Sequence, residues 1–130
     1  MSGRARRAGQ TALKASDFKP SIADSIFSSP AILGTTVCVG SHDGNLYAVD
    51  SNTGPELSRF ATRGEIKSSP TIAGETVVIG SFDRGVYGLN VNAGLERWQF
   101  RTRNDVFSSP IIADGVVYIG SDDGHVYALK

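Results

Sequence analysis

The sequence predicts an all-β chain of four-stranded antiparallel blades, a β-propeller with about three blades in 130 residues. Three observations predict it. The first is a fixed period. Ser28-Ser29-Pro30 recurs as Ser68-Ser69-Pro70 and Ser108-Ser109-Pro110, and Gly40-Ser41, Asp43 and Tyr47 recur at the same step of 40 residues, with no insertions. A fixed step of this size marks one supersecondary unit repeated along the chain. The second is glycine: 15 in 130 residues predict many tight turns, hence short strands. The third is the apolar run in each unit, such as Val77-Val78-Ile79, which does not alternate with polar residues. A strand buried on both faces reads this way, as stacked blades require.

The elements follow in order. Residues 27–33 form a first strand opened by a proline, and Gly34-Thr35 turns the chain. Residues 36–41 form a second strand, His42-Asp43-Gly44 a hairpin turn, and residues 45–50 a third strand. Ser51 to Gly54 turns again, and residues 57–62 form the fourth. The second unit repeats this with strands at 76–81, 85–90 and 96–102, and the third with 116–121 and 125–130. In Ser81-Phe82-Asp83-Arg84-Gly85 the glycine is displaced by one place, which predicts a different turn type. Gly and Pro interrupt every window long enough for a helix, so a helical solenoid is excluded.

On these residues the chain resembles the pyrroloquinoline-quinone-like (PQQ-like) propeller repeat of quinoprotein dehydrogenases and the outer-membrane assembly lipoprotein. The resemblance covers residues 17–130. The family's docking motif is Ala-x-Asp-x-x-Thr-Gly-x-x-x-Trp, whose Trp packs between blades. Ala48, Asp50, Thr53 and Gly54 match it, with Ser58 in place of the Trp. In the next unit Gly94 and Trp98 match, while Gly88, Asn90 and Ala93 depart. Phe18, ten residues before Ser28, falls where Trp98 falls before Ser108, which places it on a fourth, outer strand. The resulting division is a disordered basic leader at 1–16, a closing outer strand at 17–26, repeats at 27–66 and 67–106, and a partial repeat at 107–130. The chain then begins with a fourth strand and ends after a third. Bare blade faces are apolar, so either copies associate to close a ring or the chain is part of a larger propeller.

Composition narrows the function. Thirteen basic residues balance thirteen acidic ones. The first twenty carry a net +4 and the remainder −4. No basic excess points to nucleic acid, and no apolar run is long enough to span a membrane. No apolar stretch follows the early arginines, so no signal peptide is read. The family is most often extracytoplasmic in bacteria, and the compartment stays open. Cys38 is the one cysteine, so the adjacent cysteine pair of the family's alcohol dehydrogenases cannot form. No cofactor, metal site or catalytic set is expected. Asp43, Asp122 and Asp123 lack calcium-loop spacing and suit hairpins instead. His42 and His125 stand at non-equivalent turn positions. Ser28, Ser68 and Ser108 are expected to bond backbone groups, Tyr47, Tyr87 and Tyr127 to pack the blades, and Cys38 to be a buried, inert thiol.

The linkers between a fourth strand and the next first strand vary where the framework is fixed. They put Arg63, Lys67 and Arg103 with Phe27 and Phe107 around the channel mouth, where a protein or peptide would dock. The alternative there is ordinary solvated loop charge, with Glu65 and Asp105 as local counter-ions. The preferred reading is a non-enzymatic interaction scaffold. The alternatives are a sensor or cofactor-binding part of a quinoprotein-like dehydrogenase, and a chain made for following how propeller repeats assemble.

Overall fold

The structure is a computed structural model, described here for residues 25–52 and 54–130. The leader, most of the closing strand with Phe18, and Thr53 lie outside the described residues.

Eleven strands form three antiparallel sheets among the described residues. The first sheet is β1 (Ala31–Leu33), β2 (Thr36–Gly40), β3 (Asn45–Asp50) and β4 (Glu56–Ala61), in that order. The second repeats it with β5 (Thr71–Ala73), β6 (Thr76–Gly80), β7 (Gly85–Asn90) and β8 (Glu96–Arg101). The third holds β9 (Ile111–Ala113), β10 (Val116–Gly120) and β11 (Val126–Leu129). No helix forms among the described residues.

The register repeats with the sequence. Val37 faces Val49 across β2 and β3, and Val77 faces Leu89 across β6 and β7. The outer pairs carry the same irregularity, after Ala48 and after Gly88. The first strands are shorter than expected: each is three residues long, and Phe27 to Pro30 lie outside β1. The serines there bond through side chains instead. Ser28 Oγ accepts from Gly40 N at 2.8 Å and donates to Gly40 O at 3.2 Å. Ser108 Oγ does the same to Gly120, at 2.9 and 2.8 Å. Ser68 departs from the expectation: its buried Oγ has no partner among the described residues, and nothing in the structure explains it.

Inner strands lie side by side, β1 against β5 and β5 against β9. Ser29 N donates to Ser69 Oγ and Ser69 N to Ser109 Oγ, both at 2.8 Å, so one bond type links successive blades. The core sits in the two seams. Between the first and second sheets pack Cys38, Leu46, Ala48, Ile66, Val77, Ile79 and Leu89. Between the second and third pack Val78, Val86, Val106, Val117 and Ile119, with half-buried Trp98 against them. This explains the non-alternating apolar runs: Val77 belongs to one seam and Val78 to the other.

The shifted glycine does not change the turn. Gly44 and Gly124 have φ of 91° and 88°, and Arg84 holds the same position at 76°. All three N–H groups donate to the serine three residues back. The expectation of a different turn type is therefore corrected: the hydrogen bonds of the hairpin outweigh the cost of a left-handed arginine.

Candidate functional site

The linkers cross from an outer strand to the next inner strand, so residues 63 and 103 begin at the rim and residues 67 and 107 end near the axis. At the axial end Phe27 and Phe107 meet, with ring centroids 5.8 Å apart across 80 residues of sequence. Phe82, on the β6–β7 hairpin, packs edge-on to Phe107 at 6.1 Å. His42, on the β2–β3 hairpin, lies 6.0 Å from Phe27. These spacings are those of favourable aromatic pairs. Lys67 Nζ stands 4.8 Å over the Phe82 ring and 3.5 Å from Glu65. A row of rings with one cation thus runs His42, Phe27, Phe107, Phe82, Lys67. Phe27 is 59% exposed and Phe107 45%.

Of the sequence-predicted contact residues, the fold gathers Phe27, Lys67 and Phe107. Arg63 and Arg103 are exposed and have no ion pair among the described residues. Their backbones are fixed to the next blade: Arg63 N donates to Asp83 Oδ2 at 3.2 Å, and Arg103 N to Asp123 Oδ2 at 3.1 Å. Phe82 and His42 were not singled out as contacts. The signal for Phe82 was a large apolar ring at a hairpin tip, where polar residues are usual.

The hairpin aspartates are fully engaged. Asp83 accepts from Tyr87 Oη and, at 2.8 Å, from Gly85 N. Asp43 accepts from Tyr47 Oη and, at 2.9 Å, from Asn45 N. Asp123 takes Tyr127 Oη at 2.6 Å and His125 N at 2.9 Å. Burial pushes Asp43 up, but bonds from Tyr47, Asn45 and Ser41 outweigh it and hold the carboxyl below its ordinary value. The Tyr127 bond, with those from Arg103 and His125, outweighs burial and holds Asp123 low as well. Burial, helped by Asp83, pushes Tyr87 up to about 12. Each carboxylate thus ties its hairpin together, and Asp83 and Asp123 also clamp theirs to the preceding linker.

The docking-motif residues stand near the seams. Asn52 N donates to Asp50 Oδ1 at 2.8 Å, and Gly54 N to Asp50 O at 2.9 Å. Gly94, at φ 68°, lies so close to Ser58 that an added Cβ would come within 2.7 Å of its Oγ. Trp98 covers Gly88, its cross-strand partner. Cys38 is buried, and burial pushes its thiol up to about 11.

A family model described as outer membrane protein assembly factor BamB matches residues 5–130. The chain belongs to the BamB family. Its repeats are those of a PQQ-like propeller, as the resemblance implied. Among solved structures it is similar to BamB from Moraxella catarrhalis, with TM-score 0.72 and 26% identity over 82% of this chain and 34% of that one. It also matches the computationally designed Ika8 protein, with TM-score 0.68 and 20% identity over 77% of this chain and 31% of that one, a likeness of fold alone. The chain thus spans about a third of the solved relatives it matches. No curated protein matches it. No helix among the described residues of this BamB-family chain is long and apolar enough to cross a membrane.

Proposed function

We propose that the chain is a non-enzymatic protein-docking scaffold, part of a propeller that works as an outer-membrane assembly factor. A peptide segment of a partner docks on the aromatic row, its apolar side chains over Phe27 and Phe107 and its acidic residues toward Arg63, Lys67 and Arg103. One observation carries this reading: two exposed phenylalanines, fixed against each other at the inner ends of linkers two blades apart. Exposed aromatic anchors beside cations are what peptide recognition uses. The non-enzymatic part is supported by the polar groups themselves. The hairpin carboxylates are occupied by tyrosine and backbone donors, and the one thiol is buried.

A random-peptide phage library panned on the wild-type chain tests this. Peptides carrying an aromatic and an acidic residue are expected to enrich, and Phe27→Ser/Phe107→Ser is expected to weaken their binding by roughly tenfold or more, about 1.4 kcal/mol. No enrichment, or equal binding by the double variant, removes the aromatic row as the docking site.

A further inference from the structure

The dipeptide Asp-Gly occurs three times, at Asp43-Gly44, Asp114-Gly115 and Asp123-Gly124. The first and last lie on the β2–β3 and β10–β11 hairpins, where the aspartate is a repeated turn residue. Asp114 is not repeated. Gly34 and Gly74 hold its position in the first two blades, and Thr35 and Glu75 hold that of Gly115. The departure falls in the turn between β9 and β10, where Ala113 pairs with Val116 across a loop of two residues. Asp114 has φ 51° and Gly115 φ 76°, positive at both central positions as in an I′ turn. In the turns of the first two blades only Gly34 and Gly74 are positive, at 59° and 61°. The third blade thus puts a carboxyl side chain on left-handed backbone where the other two have glycine.

The two hairpin dipeptides are held and this one is not. Asp43 is bonded by Tyr47 Oη and Asn45 N, and Asp123 by Tyr127 Oη and His125 N. Their glycine nitrogens are bonded as well, Gly44 N to Ser41 O at 3.1 Å and Gly124 N to Ser121 O at 3.0 Å. Asp114 is exposed, and its carboxyl has no partner among the described residues. The Gly115 N–H makes no turn or loop bond among them either. An added Cβ at Gly115 would meet nothing within 4 Å. The same holds at Gly34 and Gly74, so the openness belongs to this turn in all three blades.

We propose that Asp114-Gly115 is a site of spontaneous backbone modification, where the chain closes to a cyclic imide and reopens in part as isoaspartate. The Gly115 nitrogen attacks Asp114 Cγ. The new N–Cγ bond forms as the Cγ–OH bond breaks, and the N–H proton leaves with the hydroxyl as one water. A solvent water then adds to either carbonyl of the imide. Opening at Cγ restores aspartate. Opening at the former main-chain carbonyl routes the backbone through the side chain and adds one methylene to the loop, which no longer fits the Ala113–Val116 pairing. Glycine suits the attack, because no Cβ shields its nitrogen. Leaving the left-handed region also relieves the strain on Asp114. At Asp43 and Asp123 the ring closes only after bonds to a charged carboxyl break, and each such bond slows closure by roughly tenfold or more. Those bonds also hold the two carboxyls below their ordinary value, while the imide forms from the neutral acid. The aromatic row plays no part in this chemistry.

Ageing the folded chain near neutral pH in water enriched in heavy oxygen tests it. Each passage through the imide leaves one heavy oxygen at the residue that closed, whichever carbonyl reopens, and fragment-ion mass spectrometry locates it. Label at Asp114 is expected to accumulate roughly tenfold or more faster than at Asp43 and Asp123, the effect of one bond to a charged carboxyl. Tyr127→Phe takes the hydroxyl from Asp123 while keeping the ring beside Phe100. It is expected to raise labelling at Asp123 several-fold and to leave Asp114 as it was. Equal label at the three dipeptides, or a lead by Asp43 or Asp123, overturns the proposal. So does an Asp114 that stays unlabelled while a synthetic peptide of residues 110–119 takes up label over the same time. A Tyr127→Phe chain whose Asp123 reacts no faster than in the wild type overturns it as well, because the bonds are then not what separates the three sites.

Discussion

Replacing Gly80 by Ala puts one methyl group where Val106 already is. The added Cβ would overlap Cγ1 of Val106, reach within 2.9 Å of its Cβ and within 3.2 Å of its carbonyl oxygen. Val106 cannot turn away, because it is fully buried in the seam and its N–H is bonded to Ser81. Overpacking of this kind costs about 1–3 kcal/mol, and a backbone atom among the neighbours places this case at the upper end, near 3. Val106→Ala alone removes two buried methyl groups, about 1.6 kcal/mol of transfer plus a cavity contribution. The double variant removes the Cγ1 overlap and keeps the 2.9 Å approach to the Cβ and the 3.2 Å approach to the carbonyl oxygen. Its loss is therefore expected to fall about 1 kcal/mol short of the sum of the singles, within the range of contact couplings. Gly120→Ala is the control, since nothing presses on it in the single chain. It should lie within about 0.5 kcal/mol of wild type. Urea unfolding followed by tryptophan fluorescence at high dilution reads the wild type and all four variants, with Trp98 the one reporter. A Gly80→Ala chain as stable as Gly120→Ala, or strict additivity in the double variant, would falsify the account of Val106 packed on Gly80 in the seam.

Two further outcomes follow from the hairpins. Arg84→Gly should stabilise the chain by about 0.5–1 kcal/mol, because glycine holds the left-handed conformation without a Cβ penalty; a loss in the urea midpoint would sink the reasoning. The low values of Asp43 and Asp123 set an acid limb. A carboxyl held low in the folded chain contributes stability that is full above its unfolded value and lost as pH falls through the folded one. Urea midpoints should therefore drop below about pH 4, and Asp43→Asn/Asp123→Asn should flatten that drop; an equal slope in both chains would dismiss the clamps as its source.

Much of the fold is written in local chemistry. The repeated Gly-Ser and the hairpin aspartate fix turns by short-range rules, so β3 and β7 begin and end where the spacing places them. The first strands were overestimated because Ser28 looks like strand sequence until its hydroxyl is seen bridging Gly40. The turn at Arg84 was misread because a displaced glycine says nothing of the hydrogen bonds that hold the old conformation. At the site, Phe27, Lys67 and Phe107 were visible as variation within a fixed frame. Their pairing was not, since it depends on how sharply the blades curve about the axis. Phe82 escaped for the same reason: its partner Phe107 belongs to another blade.

The serine links between inner strands have a direction. Ser29 gives its N–H to Ser69, Ser69 gives its own to Ser109, and none of these bonds runs backward. Such a chain of donors has a head and a tail, so a twofold axis, which pairs like with like, cannot extend it. Ser109 N–H at one end and Ser29 Oγ at the other can be joined only head to tail, whether by a further blade or by another copy. Assemblies of this kind close as rotationally symmetric rings when the turn per copy divides a full circle, and otherwise grow as open helical fibres. The angle between successive blades, rather than the strength of any contact, then decides which of the two a series of such blades makes.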